Sequence, residues 1–383
     1  MAEEIYEKLA EYLDNLPAGF PRTQGGAEMR ILRQLFSPEH ARLAVHVSLL
    51  PEESRIIAYR AGISLDKAEN LLHEMDNKGL VCSIKENEKP LRYRIQQFIV
   101  GFWEQQGYSL TPELVKDFEE YLPEFVDLDL WQKVPQLRVI PVNKSVSVTD
   151  TILPYEHVLE LINDYSEFVV NDCICRKEQQ LSGKGCDNPV ENCLSFGMTT
   201  ERSKRLNRGR IIDRTEVLDI LHGAEKAGLV LQTGNARNTV YICACCGCCC
   251  GVLRSLKSDS RPASRVSSPF RIKLDSDKCS GCGICINRCQ MNAISLINEK
   301  ILLNTDRCIG CGLCVSTCPT GSVTLHRKPK HEQPYVPETL RETYIRLGQA
   351  RGKMSFLYLI GLKVRSIVDR VLLMKFTFSL LKK

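Results

Sequence analysis

The sequence lacks the signatures of a nucleotide-driven enzyme. No G-x-G-x-x-G follows a strand pattern and no P-loop occurs, so neither a dinucleotide nor a nucleoside triphosphate finds its usual cradle. Histidine is scarce, 7 among 383 residues, and no Ser-His-Asp or Cys-His pattern stands out. A long apolar run is also missing. The nearest, FLYLIGLKVRSIVDRVLLMKFTFSLL, is broken by Lys363, Arg365, Asp369, Arg370 and Lys375. The start, MAEEIYEKLAEYLDN, is acidic and amphipathic and shows neither the basic nor the apolar part of a signal peptide. A cytoplasmic setting with reduced thiols is therefore expected. The net charge of +5 is too small to name a partner, although RSKRLNRGR (202–210) and RKPK (327–330) are locally basic.

Sulfur is what the chain has in excess. Of its 19 cysteines, eight lie between residues 279 and 318, ten between 173 and 250, and Cys82 stands alone. Under reducing conditions such crowding reads as metal binding or redox chemistry rather than disulfides. Residues 279–289, CSGCGICINRC, and 308–319, CIGCGLCVSTCP, both obey C-x2-C-x2-C-x3-C. Three thiolates at this spacing wrap one face of an iron–sulfur cube, and the fourth cysteine of each run ligates the other cluster. One [4Fe–4S] cluster is thus expected on Cys279, Cys282, Cys285 and Cys318, and a second on Cys308, Cys311, Cys314 and Cys289. Two zinc sites are the alternative use of these thiols, but four-cysteine zinc sites usually separate their C-x2-C pairs by longer loops. The two runs differ in one place: Pro319 follows the last cysteine of the second, Gln290 that of the first. Without the ring that stiffens the turn, solvent access or potential near Cys289 is expected to change. The segment from FRIKLDSDKC to SVTLH, with AISLI and KILLNTDRC between them as strand pieces, resembles bacterial two-cluster ferredoxins.

Ten further thiols precede this module. Cys173, Cys175, Cys186 and Cys193 are enough for one metal centre, with Arg176, Lys177 and Lys184 available to offset thiolate charge; structural zinc is the alternative. Cys243, Cys245, Cys246, Cys248, Cys249 and Cys250 crowd into YICACCGCCCG. Cys243, Cys246 and Cys249 have the spacing to grip one cube with a fourth ligand from elsewhere. Alternatively the ten thiols pool around two clusters or one larger centre, or a thiol pair does exchange chemistry. One or two additional iron–sulfur centres, or zinc, are expected here. The CICR and CACCGCCCG motifs, flanking a helix and hairpin ahead of a two-cluster module, resemble a family of ferredoxin-type 4Fe–4S proteins from anaerobic microbes. That resemblance implies electron transfer without naming a substrate.

The expected fold class is α+β: a helical winged-helix-like N-terminal region (1–105), an irregular cysteine-rich domain (106–256), a ferredoxin-like two-cluster domain (270–327) and a C-terminal amphipathic helical extension (335–383). In the first, ESRIIAYRAG and SLDKAENLLHEMDNKG have helical spacing about Gly62, and GLVCSIKENEKPLRYRIQQF alternates as two strands. Helix, turn, helix and hairpin resemble the winged helix of MarR-like regulators. DKAENLLHEMDNKGLV (66–81) recurs weakly as TEVLDILHGAEKAGLV (215–230). KSDSRPASRVSSPF (257–270) and RKPKHEQPYVPET read as linkers. The stripe Phe356, Ile360, Val364, Ile367, Val371, Met374, Phe378 and Leu381, flanked by basic residues, fits a core helix, a partner groove or peripheral contact with the inner face of a membrane.

Function is expected to be a multi-cluster electron relay serving a redox protein partner or oxidoreductase complex. The alternatives are an iron–sulfur redox-sensing DNA-binding regulator and a reductase acting at Cys243–Cys250. The helix at 65–77 carries Asp66, Glu69, Glu74 and Asp76 against Lys67, which disfavours phosphate binding.

Overall fold

The computed structural model describes residues 2–142, 145, 153–298 and 300–380. Part of the expected strand stretch LRVIPVNKSVSV lies outside the described residues, as do Leu381 and the side chains of Met374 and Phe378 in the C-terminal stripe. Helices and antiparallel sheets mix along the chain, as the α+β expectation requires. The residues form two compact units, Met1–Phe125 with Ile345–Lys383, and Val126–Tyr344.

In the first unit, strands β1 (Glu52–Glu53), β2 (Val81–Ile84) and β3 (Arg92–Ile95) form a sheet in the order β1-β3-β2. Before the hairpin, helices Ser54–Ala61 and Leu65–Asn77 meet at Gly62, whose left-handed backbone closes the first of them. The Ser64 side chain caps the second by accepting from the Lys67 amide at 3.4 Å. Ala68, Leu71, Leu72 and Met75 bury its apolar face, while Leu65, in the first turn, stays exposed. Helix Pro112–Phe125 packs on Ala27–Leu35. Its Phe118 stacks on Trp103 with ring centroids 3.9 Å apart, so residues 106–125 complete this core. The last helix, Phe356–Leu380, packs on Ser54–Ala61, and its Asp369 joins Arg60 (2.8 Å) and Glu52 in a buried ion-pair network. Phe356, Ile360, Val364, Ile367 and Val371 of the apolar stripe are exposed, by 40 to 73%. Among the described residues no helix is long and apolar enough to cross a membrane.

The second unit is built on a six-stranded antiparallel sheet of order β4-β8-β9-β6-β5-β7. Its strands are β4 (Leu137–Ile140), β5 (Phe168–Asp172), β6 (Glu191–Phe196), β7 (Arg210–Ile212), β8 (Val230–Gly234) and β9 (Tyr241–Cys245). A further pair, β10 (Phe270–Leu274) with β13 (Val323–Arg327), and a hairpin, β11 (Ile294–Ile297) with β12 (Lys300–Leu303), carry the ferredoxin-like segment. Met291, Ile309 and Leu313 of that segment join the same hydrophobic core as Val139, Ile140, Leu231 and Leu253. Ser267 and Ser268, in the Ser- and Pro-rich stretch before β10, are buried, and the Ser267 carbonyl accepts from the Val139 amide at 3.0 Å.

The sequence repeat has a common geometry. Gly79 and Gly228 both take φ of 75°, just past helices Leu65–Asn77 and Arg214–Lys226. In one copy Gly79 N donates to Asp76 O (2.9 Å) and Leu80 N to Met75 O (2.8 Å). In the other, Gly228 N donates to Glu225 O (3.0 Å) and Leu229 N to Ala224 O (2.9 Å). This is the Schellman closure, which only a residue free of a Cβ enters without strain. The Gly79 carbonyl also accepts from Gln96 Nε2 of the adjoining hairpin at 2.8 Å.

Candidate metal centres

The C-x2-C-x2-C-x3-C runs surround two cavities. The first is lined by Cys289, Cys308, Cys311 and Cys314 with apolar Ile272, Ile294 and Leu313. The second is lined by Cys279, Cys282, Cys285 and Cys318 with Ile301, Pro319 and Val323. A Cβ on Gly310 would collide with the Phe270 carbonyl, so the loop between Cys308 and Cys311 closes only with glycine there. Cys285, Cys308 and Cys314 are buried, whereas Cys282 is exposed. Burial pushes the Cys311 thiol up to about 12. Against the upward push of burial, hydrogen bonds from Ser322 and neighbouring groups hold Cys318 near 6. The Ala293 amide donates to Cys289 Sγ at 3.1 Å. Buried thiolates packed this way need a cationic partner. All-sulfur donors around an apolar cavity fit an iron–sulfur cluster.

The upstream thiols converge because of strand direction. β5 and β9 both pair antiparallel with β6, so they end at the same edge of the sheet. From β5 the chain passes through Cys173, which precedes helix Ile174–Leu181. From β9 it passes through Cys246–Cys250 into helix Gly251–Ser258. Cys193 on β6 lies directly opposite Cys243 on β9.

Two groupings result. Cys186, Cys246, Cys248 and Cys249 bring their Sγ atoms within 4.8 Å of one another. Cys186 stands 3.5 Å from Cys249 and 3.9 Å from Cys246, and Cys248 stands 3.8 Å from Cys249. Asn188 Nδ2 donates to Cys186 Sγ at 3.2 Å. The other six make a chain of thiol contacts, Cys173 to Cys175, Cys175 to Cys250, Cys250 to Cys245, Cys245 to Cys243 and Cys243 to Cys193. Hydrogen bonds from Cys243 and Cys250 hold the Cys245 thiol below its ordinary value, against the push of burial. Contact with Cys175, then burial, raises Cys173 well above the ordinary thiol value. Cys186 thus sits with the 246–249 loop rather than with Cys173, Cys175 and Cys193. Cys243 sits on the strand, across from Cys193.

Of the three cations expected to offset thiolate charge, Arg176 is fully buried at this sheet end. It donates to Asn192 Oδ1 at 2.7 Å and to the Ala244 carbonyl at 2.9 Å; burial opposes its charge, and Cys173, Cys246 and Cys245 favour it. Lys177 instead pairs with Asp172 at 3.3 Å, and Lys184 is exposed.

Asn188, Asn192 and Gln232, whose Nε2 donates to Cys250 Sγ at 3.9 Å, escaped the sequence reading because isolated amides carry no pattern. Gln290 carried one, as the residue standing where the second run has proline. Its Oε1 accepts from the Gly247 amide at 2.7 Å and its Nε2 donates to the Gly228 carbonyl at 2.8 Å. Arg288 donates to the Lys226 carbonyl at 2.7 Å and to that of Glu225. A Cβ on Gly247 would lie 2.7 Å from the Gln290 carbonyl oxygen. Gln290 is therefore clasped to the loop between Cys246 and Cys248, while Arg288 and Gln290 Nε2 hold the end of helix Arg214–Lys226.

A family model described as a 4Fe-4S dicluster domain matches residues 272–325, which contain all eight thiols of the two cavities. No curated protein and no solved structure matches the chain. Residues 272–325 are thus a ferredoxin-like iron–sulfur module.

Proposed function

We propose that this chain is a multi-centre electron-transfer protein. Cys279, Cys282, Cys285 and Cys318 would hold one [4Fe–4S] cluster, which would supply electron exchange with a redox partner. Cys289, Cys308, Cys311 and Cys314 would hold a second, placed to supply a route to or from the thiol-rich end of the sheet. Such a cluster, when bound, takes up and releases single electrons. The chain's own part is to hold it, exclude water and set its potential through burial and hydrogen bonds to sulfur. In support, each cavity is lined by one of these sets of four. Cys282 is exposed, which suits exchange with a partner, while Cys308 and Cys314 are buried, which suits an internal step.

The observation that carries the reading is the Gln290 clasp. It couples the residue after Cys289 to the loop of Cys246 and Cys248 by a 2.7 Å hydrogen bond, giving the inner cluster a short covalent and hydrogen-bonded route to the upstream thiols. Anaerobic iron and acid-labile sulfide analysis with low-temperature EPR tests it. About eight irons and eight sulfides in two reducible clusters are expected from the module; a colourless, iron-poor protein after reconstitution sinks it.

The helices about Gly62 and the β1-β3-β2 sheet support a winged-helix reading of the first unit. The outer face of Leu65–Asn77 exposes Asp66, Glu69 and Glu74, and Lys67 is paired with Glu39 at 2.7 Å. This supports a docking role over phosphate binding. Fluorescence anisotropy with random duplex DNA is expected to show no salt-dependent binding. The exposed apolar stripe of the last helix supports attachment to a partner complex or to the inner face of a membrane.

A further inference from the structure

We propose that Cys186, Cys246, Cys248 and Cys249 hold one tetrahedral thiophilic ion, zinc or iron, and not an iron–sulfur cube. The argument is metric. Four thiolates about 2.3 Å from a central ion stand about 3.8 Å from one another. The Sγ separations here are 3.5, 3.8 and 3.9 Å, with all four atoms inside 4.8 Å. A cube needs a wider frame, because each thiolate binds an iron that is itself displaced from the centre and sulfides fill the faces. The same chain contains that wider frame in the two cavities ringed by the module's thiols, which do not draw together within 4.8 Å as the upstream four do. Among the described residues, only the four upstream thiols are brought together as closely as one ion requires.

The surroundings suit a small dianionic centre. A divalent ion with four thiolates carries two negative charges. The buried guanidinium of Arg176 faces Cys246, and Asn188 donates to Cys186. An all-sulfur tetrahedron selects zinc or iron over harder ions. Cys248 is exposed while Cys246 and Cys249 are buried, which leaves an entry path beside an otherwise closed site. Cys186 comes from a loop 60 residues before Cys246, so the ion cross-links two distant loops. One of them contains Gly247, the residue that Gln290 grips. The ion thereby fixes the surface on which the module sits. This assignment refines the inner end of the relay but does not depend on electron flow.

Cys248→Ser and Cys186→Ser in the full chain, purified without oxygen, test it by metal and sulfide analysis. Each is expected to lose about one equivalent of zinc or iron with sulfide unchanged and the module's irons retained. Loss as zinc marks a redox-silent cross-link, and loss as iron together with a high-spin ferric EPR signal marks a one-iron centre; either supports the proposal. Loss of about four irons with matching sulfide, or no loss at all, overturns it. Should both variants fail to fold, cobalt(II) added to the unmutated chain after mild chelation decides. Intense visible bands of a tetrahedral tetrathiolate are expected, and their absence overturns the proposal. The electron-transfer reading fails separately, through missing iron and sulfide in the module of the unmutated chain.

Discussion

The two sulfur-rich regions of the second unit use the same side chain to opposite geometric ends. In the module, eight thiols spaced by two or three residues stand back from one another around cavities. At the sheet end, four thiols from a run of near neighbours and one distant loop close to within 4.8 Å. Glycine-rich turns account for the first, since each intervening glycine swings the chain round a volume rather than into it. A strand-to-helix junction accounts for the second: the chain leaves β9 and reverses into a helix within five residues, pressing successive thiols together. Cysteine density alone thus does not report what is bound. The separation of the sulfurs does.

The contrast can be broken from either side. Cys311→Ser, at the cavity that Cys289 shares, should have the largest effect. About four irons and four sulfides should be lost together, with the upstream ion retained; chemical analysis and spin quantitation read this. Arg176→Leu removes a buried cation and leaves the Ala244 carbonyl and Asn192 without their donor. About 3 kcal/mol of stability should be lost, visible in denaturant unfolding of the loaded protein, together with the upstream ion. Gly247→Ala pushes a methyl group against the Gln290 carbonyl. A loss of about 2 kcal/mol is expected in denaturant unfolding, with the module's iron and sulfide retained. Gln290→Ala is the mildest. It removes two hydrogen bonds but creates no clash, so iron content should be unchanged and stability should fall by about 1 kcal/mol.

The module was legible because its instructions are local. Ligands, turns and strand pieces all fall within the stretch that ends at SVTLH, and β10 to β13 lie where those pieces were expected. The grouping of the upstream thiols was not legible in the same way. Cys186 meets Cys249 across 63 residues, and Cys193 meets Cys243 through the β6–β9 register. Those neighbours are decided by sheet topology, which spacing along the chain does not encode. Gln290 is the intermediate case. Its departure from proline was visible, but its use became plain only when the Gly247 amide and Gly228 carbonyl were seen beside it.

The repeated helix closure has a consequence for how such a chain is assembled. Each copy leaves one outward carbonyl, on Gly79 or Gly228, that a glutamine amide fills. In the first copy the plug comes from its own hairpin, Gln96; in the second it comes from the iron–sulfur module, Gln290. The motif is a socket that one suitably placed amide fills, and the iron–sulfur module fills it at the same place where Met291 joins the core of the sheet.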